Sequence, residues 1–181
     1  MRALSEQELV RRAAELEWLL CDVDGVLTDG GLYYDRRGHA LLRFHVRDGL
    51  GFTLARRAGL KVALVSGRAS AALDHRAAEL GLDAVLSGVA DKGAALDAFL
   101  ERHSTAARKV AFIGDDLQDL TVLGRCGLSF APADAVAEVR AVVHRVLASP
   151  GGRGVVREAV EVLLRARGDW DRLFTTFTFD R

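Results

Sequence analysis

The chain has 181 residues, of which 50% are hydrophobic and 28% charged, with 25 basic side chains balancing 25 acidic ones. That length suits one domain, spanning 1–181, with a sizeable core. A net charge of zero excludes any general attraction to nucleic acid or to an anionic membrane. Two cysteines, Cys21 and Cys126, are too few for a disulfide framework and sit in apolar contexts that suit packing.

Residues 1–8 read as the start of an amphipathic helix, not as a signal peptide. No apolar run reaches the length of a membrane span, so a cytoplasmic protein is expected. Trp18-Leu19-Leu20-Cys21 is an apolar run of strand length. Two further runs, 32–34 and 40–46, flank Asp35-Arg36-Arg37-Gly38 and predict a hairpin inserted at about 30–46. Helical and β-branched segments then alternate. Helix is expected over 49–58, 70–80, 92–103, 117–123, from 135, and over 155–167. Strand is expected over 61–65, 84–86, 110–113, 128–130 and 142–143. Such alternation predicts an α/β fold with a doubly wound, Rossmann-like parallel sheet. The tail, about 168–181, alternates over 173–179 like a strand, and either docks on a neighbouring subunit or is disordered.

The polar residues fall where strands end. Asp22 and Asp24 follow the first strand, two apart on extended chain and so on one side of it. Carboxylates that close stay ionised together only if a cation or strong donors offset their repulsion. Ser66-Gly67-Arg68, Asp91-Lys92 and Gly114-Asp115-Asp116-Leu117-Gln118-Asp119 follow later strands. In a parallel sheet all these loops leave by one edge, where open α/β folds bind ligands. Taken singly, Asp115 and Asp116 could be a turn with a cap, Ser66 another helix cap, and Lys92 a solvated side chain. Together, an acid pair, a hydroxyl, a lysine and a second acid pair point to a carboxylate nucleophile beside a divalent metal.

In this order the motifs resemble those of the haloacid dehalogenase superfamily of phosphotransferases. Asp22 to Asp29 is similar to its first motif, Ser66 to the second-motif hydroxyl, Lys92 to the third-motif lysine, and Asp115-Asp116 to the fourth-motif acids. Adding His45-Val46-Arg47-Asp48-Gly49, Ser66-Gly67-Arg68 and Gly151-Gly152-Arg153-Gly154, the chain resembles the 3-deoxy-D-manno-octulosonate 8-phosphate (Kdo-8-phosphate) phosphatase family over roughly 15–165. Thr53 departs from it, standing where that family often has Arg.

The resemblance implies an Mg²⁺-dependent hydrolase of a 2-keto-3-deoxy sugar acid phosphate, without a cap domain. Asp22 would be the nucleophile and Asp24 the acid and base. Asp22, the Asp24 carbonyl and Asp115 would hold the metal, with Asp116 and Asp119 behind them. Ser66 and Lys92 would contact the phosphoryl group. His45, Val46, Arg47, Asp48, Gly49, Thr53, Arg68 and Arg76 would meet the sugar acid, Arg76 having a solvated helix face as its alternative. A homotetramer would share each site between subunits through the hairpins. A nine-carbon sugar acid 9-phosphate is the alternative substrate. A phospho-receiver-like regulatory domain or a silent sugar-phosphate binding subunit is the alternative of another class.

Overall fold

In the first strand the side chains divide between two cores. The computed structural model describes residues 4–178. After helix α1 (Glu6–Glu15), strand β1 (Trp18–Asp22) sends Leu19 and Cys21 into one apolar cluster and Trp18 and Leu20 into another. Burial on both faces is what a central parallel strand requires. The chain continues through β2 (Tyr33–Tyr34), β3 (Ala40–Leu41), α2 (Val46–Arg57), β4 (Lys61–Val65), α3 (Ala71–Leu80), β5 (Ala84–Leu86) and α4 (Lys92–Arg102). It ends with β6 (Val110–Ile113), α5 (Leu120–Leu123), β7 (Leu128–Ala131), α6 (Ala137–Val142), β8 (Arg145–Val146), α7 (Val155–Ala166) and α8 (Trp170–Thr178). The order β5-β4-β1-β6-β7-β8 makes a six-stranded parallel sheet, and β2-β3 is a separate antiparallel hairpin. No helix among the described residues is long and apolar enough to cross a membrane.

Helix ends follow local chemistry. Ser5 caps α1, its Oγ accepting from the Glu8 N–H at 3.2 Å, and Glu6 and Glu8 lie in the first turn. His144 is buried between Ser129 Oγ at 2.7 Å and Arg12 at 3.0 Å.

Five expectations are corrected. The strand expected at 142–143 lies at Arg145–Val146, because Val139 and Val143 take helical spacing into the core. The second hairpin strand stops at Leu41, and α2 starts earlier than expected, at Val46. The segment expected as helix over 117–123 is a 3-10 turn, Leu117–Asp119, followed by α5. The tail forms α8 rather than a strand. Trp170, Leu173 and Phe177 recur at helical spacing, Leu173 is buried, and Trp170 lies under Arg165 and Arg157. Thr175 and Thr176 donate to carbonyls three residues back, which accommodates them in the helix. Phe179, the last residue of the alternating stretch, lies outside the described residues.

The turn between β8 and α7 is held by Glu158, whose two oxygens accept from the Ala148 and Ser149 N–H groups at 2.8 Å each. Burial opposes ionisation of this carboxyl, but those donors hold it below the ordinary glutamate value of 4.5. A depressed carboxylate contributes stability above its unfolded pKa and loses it as the pH falls through the folded value. Glu158→Gln should therefore lower stability by about 1–2 kcal/mol at pH 7 in urea unfolding. The gap from wild type should close as the pH drops below the glutamate range.

Candidate active site

β1 is the point where the sheet changes direction, with β4 on one side and β6 on the other. Crevices form at the carboxyl ends of strands at such a point. Asp22 ends β1, Ser66 follows β4, and Asp115 and Asp119 follow β6. Lys92 opens α4 after the edge strand β5.

These groups converge. Lys92 Nζ donates to Asp22 Oδ1 and Asp119 Oδ1, each at 2.6 Å, and all three side chains are buried. Asp119 Oδ2 accepts from the N–H groups of Asp115 at 2.9 Å and Asp116 at 3.2 Å. Asp22 Oδ2 and Asp115 Oδ1 are buried without a hydrogen-bond partner among the described residues. Asp22, Asp115 and Asp119 each present an oxygen within 4.8 Å of the others.

The electrostatics follow from burial and crowding. Burial, then Asp119, push the Asp22 carboxyl up to about 6 against the pull of Lys92. Burial, then Asp22 and Asp119, push Asp115 up to about 8. Burial works against the charge on Lys92, but Asp22 and Asp119 carry it above its ordinary value. Unpartnered carboxylate oxygens in such a place fit a hard cation that takes oxygen ligands. Asp22 and Asp115 have oxygens to offer, whereas both oxygens of Asp119 are already occupied by Lys92 and two amides. Asp119 therefore positions Lys92 and the Asp115 loop. Asp116 is exposed and caps the following turn, its Oδ1 accepting from the Leu117 N–H at 2.7 Å.

The loop after β1 is shaped by close backbone approach. Gly25 has φ +92°, and a Cβ there would lie 2.1 Å from Asp115 Oδ2. Behind it, a Cβ on Gly151 would lie 1.9 Å from the Gly25 carbonyl oxygen, and the Gly152 N–H donates to Val26 O at 2.8 Å. The glycine turn is thus a brace for the loop that carries Asp24.

Asp24, Ser66 and Arg68 line one narrow crevice together with Ala40 and Leu42 of the hairpin. Ser66 Oγ donates to the Arg68 carbonyl at 2.9 Å and accepts from the Arg68 N–H at 3.1 Å, so it belongs to its own loop and caps no helix. A cavity of about 540 Å³ beside β5 and α4 contains none of these acids.

The residues expected to meet a sugar acid are dispersed. His45 caps α2, its Nδ1 accepting from the Arg47 N–H at 3.3 Å, and Val46 and Arg47 are exposed there. Asp48 is fully buried and turns away from the crevice: its oxygens accept from the Gly154 N–H at 3.0 Å and the Arg157 N–H at 2.9 Å, at the start of α7. Gly49 leaves room for Arg76, since a Cβ there would lie 2.5 Å from Arg76 Nη2. Arg76 pairs with Glu79 at 2.8 Å and lies against the Phe44 ring. Thr53 Oγ1 donates to the Gly49 carbonyl of its own helix at 3.2 Å. Within one chain, then, Asp48, Gly49, Thr53 and Arg76 organise the end of α2. Sequence reasoning missed Ala40 and Leu42 as crevice walls, and a face of alternate hairpin residues was the signal available.

Residues 84–158 match the model of the haloacid dehalogenase-like hydrolases. The 3-deoxy-D-manno-octulosonate 8-phosphate phosphatase of Haemophilus influenzae is 41% identical over 158 residues, covering 87% of this chain and 88% of that one. That of Escherichia coli K12 is 38% identical over 164 residues, covering 91% and 87%. The crystal structure of the Moraxella catarrhalis phosphatase of the same name, in complex with magnesium ion, phosphate ion and KDO, superposes with a TM-score of 0.91. It is 34% identical and covers 94% of this chain and 98% of that one.

Removing one partner from a buried ion pair leaves uncompensated charge, at a cost of a few kcal/mol. Lys92→Ala should therefore lower stability by about 3 kcal/mol at pH 7.5. The loss should shrink toward pH 5, as Asp22, whose carboxyl burial pushes up to about 6, takes a proton and no longer needs a cationic partner. Urea unfolding at the two pH values checks both the size and the sign.

Proposed function

Because the chain belongs to the haloacid dehalogenase-like hydrolases, and within them to the family of 3-deoxy-D-manno-octulosonate 8-phosphate phosphatases, we propose that it hydrolyses Kdo-8-phosphate to Kdo and inorganic phosphate. The observation that carries this reading is Asp22, with one oxygen held by Lys92 and the other buried without a partner among the described residues.

Asp22 attacks phosphorus in line, the bond from phosphorus to the sugar oxygen breaks, and an aspartyl-phosphate forms. Asp24 gives its proton to the departing alkoxide. It then takes a proton from water as the water oxygen attacks phosphorus, releasing phosphate and restoring Asp22. Lys92 keeps the nucleophile ionised and in place and donates to the phosphoryl oxygens, joined by Ser66 once its hydroxyl turns from the Arg68 carbonyl to the phosphate. Asp22, the Asp24 carbonyl and Asp115 would hold Mg²⁺, with Asp119 behind them through Lys92 and Asp116 through the capped turn. Bound there, the ion neutralises phosphate charge and orients the group. Arg68, beside Asp24 in the crevice, and Arg47, exposed at the start of α2, bind the carboxylate of the sugar acid in two-pronged fashion.

The hairpin leaves Leu32, Tyr33 and Leu41 roughly half exposed. This apolar surface supports a homotetramer in which a neighbouring subunit covers each crevice. The protein would act in the cytoplasm.

Asp22→Asn should abolish phosphate release while leaving the circular dichroism spectrum unchanged. Wild-type activity in that variant would refute the nucleophile. Chelation of divalent cations should stop turnover, and added Mg²⁺ should restore it. Among Kdo-8-phosphate, a nine-carbon 2-keto sugar acid 9-phosphate and hexose phosphates, the first should have the highest kcat/KM. A preference for hexose phosphates would overturn the substrate assignment. Gel filtration at the monomer mass would overturn the shared site.

A further inference from the structure

Cross-strand partners in a hairpin project to the same face. In this hairpin Tyr34 pairs with Ala40, and Tyr33 with Leu41. Ala40 and Leu42 line the crevice that also holds Asp24, Ser66 and Arg68. The Tyr34 face of the hairpin is therefore turned to the chain's own catalytic loops, and the Tyr33 face is turned away from them. Beside the crevice, Arg68 Nη2 donates to Tyr34 Oη at 3.3 Å, joining two segments 34 residues apart.

From this contact we infer that Tyr34 is a positioning residue for substrate binding. It holds the Arg68 guanidinium over the crevice, where it takes the carboxylate of the sugar acid. The inference rests on the proposed role of Arg68. Arg68 stands on an exposed loop, and its flexible side chain would otherwise sample many rotamers in solvent. A phenol oxygen that accepts from one guanidinium nitrogen restricts the plane of the fork and leaves its other donors for the ligand. The pairing gives the hairpin a part in recognition beyond any part in assembly. It acts on binding and not on chemistry, because the hydroxyl of Tyr34 meets Arg68 and not the acids that carry out the reaction. The expected signature is a change in KM with kcat preserved.

The test compares wild type, Tyr34→Phe, Arg68→Ala and the double variant on Kdo-8-phosphate and on a hexose phosphate that lacks a carboxylate. Tyr34→Phe removes only the hydroxyl, keeps the ring, and should elute from gel filtration as wild type does. It should raise KM for Kdo-8-phosphate about fivefold, with kcat within about twofold. It should leave the hexose phosphate unaffected and change nothing further in the Arg68→Ala background. An unchanged KM, an equal change with the hexose phosphate, or a full effect persisting without Arg68 would each overturn the inference. An Arg68→Ala variant that binds Kdo-8-phosphate as wild type does would overturn it as well. Failure of the functional reading looks different, because wild type itself would then turn over hexose phosphate better than Kdo-8-phosphate.

Discussion

Lys92 places one ammonium group between Asp22 and Asp119, 2.6 Å from an oxygen of each and shielded from solvent. Burial by itself favours the neutral form of Asp22 and of Lys92. Pairing opposes that, and the arrangement exists only because loops after β1 and β6 and the start of α4 meet at one sheet edge. The lysine takes one oxygen of Asp22 and leaves the other to face Asp115. Asp119 spends its remaining oxygen on two backbone amides, which fixes the Asp115 loop relative to the lysine. A single shared cation thus sets the position of both acids that would meet a metal.

The rest of the site is held by backbone contacts that admit no side chain. Gly25 passes under Asp115, and Gly151 passes behind Gly25, each at a distance that a Cβ would make impossible. Glu158 holds the entrance to that glycine turn, and Asp48 holds its exit at the start of α7. Because Asp48 also belongs to the first turn of α2, the end of that helix is tied to the brace behind the Asp24 loop. Rigidity of this kind suits a reaction that depends on in-line geometry, where small misplacements are costly.

Much of this was legible in the sequence, and the reason is topological. Parallel strands buried on both faces read as apolar runs, so the polar residue that ends each run marks the active edge, as at Asp22, Ser66 and Asp115. Individual side-chain directions were not legible. Asp48 sits in a segment that looks substrate-facing, yet on a helix one position turns a side chain by about 100°, and its carboxylate went to α7. The Phe-Thr alternation of the tail has period two, but the apolar set that includes Trp170 and Leu173 has helical period and a partner in α7. β8 escaped because it is only two residues long and exposed on an edge, with Val146 its single apolar residue. Tyr34 could not be told from Tyr33 without the register of a two-residue strand.

The charges divide the molecule's work. In the proposed site Asp22, Asp115 and Asp119 crowd together with Lys92 the cation among them, and Asp24 lines the adjoining crevice. With Asp24 protonated as the proposed mechanism requires, a divalent ion and Lys92 only balance the other three carboxylates, so this cluster alone would leave the phosphate and carboxylate charges of the substrate uncompensated. Attraction must come from cations nearby that are not engaged in holding the acids together. Arg47 and Arg68 meet that description, and both lie on exposed segments rather than in the core. On the proposed reading, acids gathered around one buried lysine and recognition by arginines at the exposed rim follow from the same charge balance. Change at the rim can alter the accepted sugar while the buried chemistry stays as it is, and the hairpin that walls the crevice is the element best placed to do so.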